Sequence, residues 1–190
     1  MLLALIQEKI QKLYSLEDIP DISKFLISKD KIESLHLMVR PQVVVRQQGE
    51  EVELGVYLGE SLEDVETVDA YAVLVEEVSH FIYLFWNLTH DQPFSLLDVE
   101  VQGEIDKFLF FADQLGFSDQ VVQKIFGHYL LRENLPPEET QRYHQAHRLG
   151  QRFIRKMLRA DLKYTETLKF LRAFYRQGSA KRIRQIYHAL

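Results

Sequence analysis

The stretch Val68 to Leu88, VDAYAVLVEEVSHFIYLFWNL, constrains this chain more than any other. Between Ala70 and Tyr83 its only strongly polar side chains are Glu76, Glu77, Ser79 and His80. A helix apolar on nearly every side belongs in the interior of a soluble protein, and carboxylates are almost never fully buried unless paired. At about 100° per residue, His80 lies about 40° from Glu76 and about 60° from Glu77, so the three share one side of the helix. A buried acid–acid–imidazole cluster requires a counter-charge, a proton or a metal. The segment approaches membrane-span length, but two Glu and a His near its centre favour a buried helix and predict no membrane partner.

The elements around it follow from periodicity and punctuation. Leu3, Ile6, Ile10 and Leu13 predict a helix over 3–14, and Phe25-Leu26-Ile27 a short strand or helical turn. The β-branched runs on either side of Gln48-Gly49 predict an antiparallel hairpin, 42–47 with 51–58. A helix opening near Ser61 is expected to break before Val68. Further helices are expected at 95–115 closed by Gly116, 119–133 capped by Ser118, 138–160, 164–177 and 180–189, with the clearest break at 134–137. The fold class is therefore α+β, mainly helical, with a small antiparallel sheet (the hairpin) ahead of a buried central helix. A single domain over 1–190 is expected, its basic helical C-terminal region (138–190) packed on the acidic region before it (1–137).

Charge divides the chain sharply. Residues 1–141 hold 10 Lys/Arg and 26 Asp/Glu, whereas residues 142–190 hold 13 and 2; from Gln47 to Asp106 there are 15 acids and no Lys or Arg. The absence of cysteine removes disulfides, thiol catalysis and thiolate metal sites, and fits a reducing compartment. The apolar amino terminus carries no basic n-region or small-residue cleavage site, so a cytoplasmic protein is expected. No Gly-rich phosphate loop or nucleophile elbow is present.

Glu76-Glu77-Val-Ser-His80 resembles the zinc-protease helix motif H-E-x-x-H with Glu in place of the first His. In that motif the two His bind zinc and the Glu polarises the attacking water. The resemblance, over about residues 42–108, is to a degenerate zincin-like scaffold of gluzincin type. It implies Glu76 and His80 as ligands, Glu77 as the catalytic base, and Glu100 or Glu104 on the following helix as third ligand. Glu104 is the better placed, because it falls on the apolar stripe of Leu97, Val101, Phe108 and Phe111 while Glu100 is at its edge. It also implies Zn or another divalent metal as cofactor, and a metal-dependent hydrolase if the domain is an enzyme. Glu at position 76 makes the ligand set more anionic than His-His-Glu and weakens the acidity of a bound water, so an active peptidase is not expected. Glu77-x-x-His80 is also the E-x-x-H pair of carboxylate di-iron proteins, but its required second copy is absent.

A competing reading is a non-enzymatic protein-interaction module. Its carboxylates are held by Arg or Lys of the basic C-terminal region without a metal, and His80 is an ordinary core imidazole. His147, in Tyr143-His144-Gln-Ala-His147, either supplies a further metal ligand or faces solvent at a helix start. His90 and His128 stand alone. Arg148, Arg152, Arg155 and Arg159 form a stripe that Lys169, Arg172, Arg176, Lys181, Arg182 and Arg184 extend. The stripe is expected to be solvated or paired with the acidic surface of residues 50–69. A protein partner is thus open and nucleic acid is not the expected one.

Overall fold

The computed structural model describes residues 2–49, 51–59, 67–127, 135–160 and 162–188. Among these the chain is mainly helical, with one two-stranded antiparallel sheet. Helix α1 (Leu2–Tyr14) buries Ile6, Ile10 and Tyr14. A 3₁₀ turn, Ile22–Phe25, follows, and then α2 (Lys29–Ser34), capped by the Ser28 hydroxyl. Strands β1 (Gln42–Gln48) and β2 (Glu51–Tyr57) pair in the register Gln42 with Tyr57 through Gln48 with Glu51. Gly49, at φ +64°, takes the left-handed conformation that a two-residue connection demands. Both descriptions of Phe25–Ile27 hold in part. The 3₁₀ turn ends at Phe25, and Leu26 then bridges Val56 in parallel, with the Ile27 N–H donating to the Val56 carbonyl at 3.0 Å.

Helix α3 (Val68–Thr89) is the buried centre. Thr67 caps it, and nearly every side chain from Leu74 to Leu84 is out of solvent. Helix α4 (Leu96–Leu115) begins in a reciprocal Ser95–Asp98 capping box and ends at Gly116, φ +89°. Helix α5 (Asp119–Phe126) is capped by Ser118; the expected continuation to residue 133, with His128, lies outside the described residues, as does the helix expected near Ser61. Helix α6 (Pro137–Arg159) starts with Pro at its first turn, where the missing N–H costs nothing. Helices α7 (Tyr164–Tyr175) and α8 (Ser179–Tyr187) complete the chain. Among the described residues no helix is long and apolar enough to cross a membrane.

Helix α4 is the hub. It runs antiparallel to α3, with Tyr71 against Phe110, Ser79 bonded to Asp106 and Glu76 to Lys107. It runs parallel to α6, with Arg142 on Glu100 and His147 on Glu104. The second contact is very close: a Cβ on Gly150 would stand 2.8 Å from the Glu104 Cβ, so only glycine lets the two helices meet here. The apolar face of α6 (Leu149, Phe153, Ile154, Met157) joins the core, and Arg152 of the arginine stripe bonds to the end of α8. Residues 50 and 60–66 of the acidic surface expected to face the stripe lie outside the described residues.

Candidate metal centre

Helix α3 presents Glu76 and His80 toward α4, which presents Glu100, Gly103, Glu104 and Lys107 in return, and Glu77 stands beside His80. His80 is 7% exposed and Glu77 3%. The Nε2–Cδ2 edge of the His80 ring lies close against α4 because residue 103 has no side chain; a Cβ there would come within 2.7 Å of His80 Nε2. The two ring nitrogens face different acids. Nδ1 lies 3.6 Å from Glu77 Oε2, and Nε2 lies 3.5 Å from Glu100 Oε2. His80 Nε2 and Glu100 Oε2 are both buried, and neither makes a hydrogen bond.

Glu76, His80 and Glu100 each offer one ligand atom, all within 4.8 Å of one another. Two donors bound about 2.0–2.1 Å from a tetrahedral ion stand about 3.4 Å apart, close to the separation that His80 Nε2 and Glu100 Oε2 already have. Glu104 sits apart from this trio. Its carboxylate receives Lys107 Nζ at 2.8 Å and lies 3.2 Å from His147 Nδ1, while His147 Nε2 lies 3.1 Å from the Phe126 carbonyl. His147 is therefore half-buried between α4 and α5, neither facing solvent nor directed at His80. His144 is exposed.

Lys107 also holds Glu76, at 3.0 Å, and Arg142 Nε holds the second oxygen of Glu100 at 3.2 Å. Arg40 pairs with Glu139 at the start of α6, and its charge also interacts with that of Glu77. Cations thus come from α4 and the β1 approach as well as from the basic C-terminal region, which supplies Arg142.

Protonation follows this crowding. Burial by itself pushes the His80 imidazole down, but the adjoining Glu77 carboxylate and the charges of Glu100 and Glu76 outweigh it and raise the group to about 9. Burial raises Glu100, against the opposing pull of His80 and Arg142. Burial would also raise Glu104, yet Lys107 and His147 hold it well below the usual carboxylate range. Burial would lower Lys107, but Glu76 and Glu104 keep it firmly charged.

A second buried polar network lies on the other side of α4. Tyr14 and Ser79 each donate to Asp106 at 2.5 Å, and the Gln102 amide donates to Tyr14 and Asp106. Arg182 of α8 donates to Gln102 at 2.8 Å and stands 4.0 Å from Asp98. Arg182 is 1% exposed, so it is not the surface cation of a stripe ending at Lys181–Arg184.

Sequence reasoning did not find Lys107, Arg142, Gly103, Arg182 or Asp106. For Lys107 a signal existed: it is the first cation after the acid-only stretch 47–106, three residues beyond Glu104 on the same helix. For Gly103 there was none, because close approach depends on which helix lies opposite. Compared with known protein families, curated proteins and solved structures, the chain matches none.

Proposed function

We propose that this domain is a zincin-like divalent-metal binder, with Glu76, His80 and Glu100 as the protein ligands, and that it is not an active peptidase. The observation that carries this reading is the pair His80 Nε2 and Glu100 Oε2, two buried polar atoms 3.5 Å apart with no hydrogen bond between them. Leaving such atoms unsatisfied costs about 1–3 kcal/mol each, and a shared cation removes that cost. Zinc suits a site of one imidazole and two carboxylates, and its affinity is coupled to proton release from His80 and Glu100.

Glu77 takes a different role from that of a water base. It lies behind the ring at Nδ1, the position of a carboxylate that fixes the tautomer of a metal-bound imidazole. The ligand side chains are also nearly closed to solvent, which suits a structural or regulatory ion more than one that must admit substrate.

Lys107 and Arg142 favour a second reading, in which charged His80 and these cations neutralise the carboxylates and the domain is a metal-free protein-interaction module. Metal analysis separates the two. Protein purified without an affinity tag, loaded with Zn or Mn and desalted, is expected to retain about one equivalent, and His80→Gln and Glu100→Gln almost none. Retention below about a tenth of an equivalent by the parent protein selects the metal-free reading. Glu77→Gln is expected to weaken metal binding about 10–100-fold, as loss of an orienting carboxylate does; unchanged affinity would place Glu77 elsewhere.

A further inference from the structure

The carboxylate–imidazole centre uses one arginine of the basic C-terminal region, and Arg172, Arg176 and Arg182 bond to other parts of the fold, which leaves the cations of α6 to be accounted for. Arg148, Arg152, Arg155, Lys156 and Arg159 all lie on α6, and no Asp or Glu occurs from residue 140 to 160. With Ile186, Tyr187 and His188 at the end of α8 they line a cleft of about 1170 Å³. Two of these cations hold the cleft's far wall. Arg152 donates to the Ile186 and Tyr187 carbonyls at 3.3 Å, and Lys156 donates to those of Gln185 and His188. Those bonds satisfy carbonyls that the last turn of a helix leaves without partners.

Arg148, Arg155 and Arg159 remain, and among the described residues none is paired with a carboxylate. Burial, and after it the charge of neighbouring Arg152, lower the Lys156 ammonium. From Arg148 to Arg159 the stripe runs about 16 Å along the helix, longer than a single phosphate or carboxylate requires. Beside it Tyr187 is 51% exposed as a residue, with the Arg152 guanidinium over one face of its ring at 4.8 Å. A basic groove combined with an accessible aromatic face suits a polyanion that also carries flat bases. An acidic peptide would use the charges and leave the ring idle, and a duplex keeps its bases stacked inside.

We propose that the α6–α8 cleft binds single-stranded nucleic acid, with Arg148, Arg155 and Arg159 on backbone phosphates and Tyr187 stacking on a base. The acidic remainder of the chain repels the same ligand and confines it to this cleft.

The test is fluorescence anisotropy of labelled 12-mer oligo-U and oligo-dT with the full chain, over a range of salt concentrations. Affinity is expected to fall linearly with salt on logarithmic axes, and removing the three arginines together is expected to reduce that slope by about 2. The same triple alanine variant is expected to bind at least about tenfold more weakly, while Lys24→Ala/Lys31→Ala/Lys124→Ala binds as the parent does. Tyr187→Ala is expected to weaken binding several-fold, with Tyr187→Phe restoring it. Photocross-links from a 4-thiouridine oligonucleotide to the parent protein are expected in α6 and α8, a readout independent of whether any variant folds. Cross-links elsewhere, no binding at low salt, or equal competition by a duplex or by polyglutamate would each overturn the proposal.

Discussion

Asp106 shows at the scale of one residue how burial and hydrogen bonding compete. Three donors converge on its carboxylate, from Tyr14, Ser79 and Gln102, and each favours the charged form. Complete burial outweighs them and raises the group to about 6 from 3.8. A carboxyl whose folded value is raised binds its proton more tightly in the folded state. Its contribution to stability is therefore fully present below about pH 4 and is lost as pH rises through about 6. A shift of about two pK units corresponds to about 3 kcal/mol. Asp106→Asn removes this titration, so the difference in urea midpoint between parent and variant is expected to change across pH 4–6 and to be flat above about 7. Parallel curves through that window would show that Asp106 titrates normally. Of this network only Ser79 stands out in the sequence, as a polar residue of the central helix. Tyr14 is 92 positions from Asp106, and only the packing of α1 on the central helices joins them.

Element boundaries and types were legible where local chemistry marks them: Ser95 and Ser118 before helices, Gly116 after one, β-branched runs around Gly49. The site was legible only as far as one helix allows. Spacing alone places Glu76, Glu77 and His80 together, but Glu100 and Glu104 are one turn apart on α4. The apolar stripe of Leu97, Val101, Phe108 and Phe111 favours Glu104, and periodicity does not set Glu100 beside His80. Gly103 and Gly150 separate the two, since one seats His80 beside Glu100 and the other brings α6 onto Glu104. Helix α8 misleads for a related reason. Its cations suggest a basic surface, yet Arg182 shares the buried face of Ile186 and lies over the rings of Tyr83 and Phe174, at 4.8 and 4.5 Å. Arg182→Ala takes the buried donor from the side-chain carbonyl of Gln102 and the charge from beside Asp98, and is expected to destabilise the protein by about 3–5 kcal/mol. Arg182→Met, which fills the space, is expected to cost less. Hydrogen exchange across residues 179–187 should rise sharply in the alanine variant. Protection there equal to that of the parent would mean that α8 docks through Ile186 alone.

Across the whole molecule, the acidic and basic regions are joined mainly by apolar packing. Helices α6 and α7 bury Leu149, Phe153, Ile154, Met157, Leu171 and Phe174, each worth about 1.5–3 kcal/mol when withdrawn from water. Even discounted for a compact unfolded state, their sum rivals the about 5–15 kcal/mol by which a typical domain is stable. Exposed ion pairs at about 0–1 kcal/mol each do not approach this. Removing residues 142–190 would also take Arg142 from Glu100 and His147 from Glu104, leaving buried carboxylates with fewer partners. The 1–141 fragment is therefore expected to be insoluble, or to keep helical circular dichroism without a cooperative melt. Salt should not rescue it, because screening acts on the weaker term. A soluble fragment with a sharp melting transition would show instead that the acidic region holds its own core, with the basic helices an appended arm.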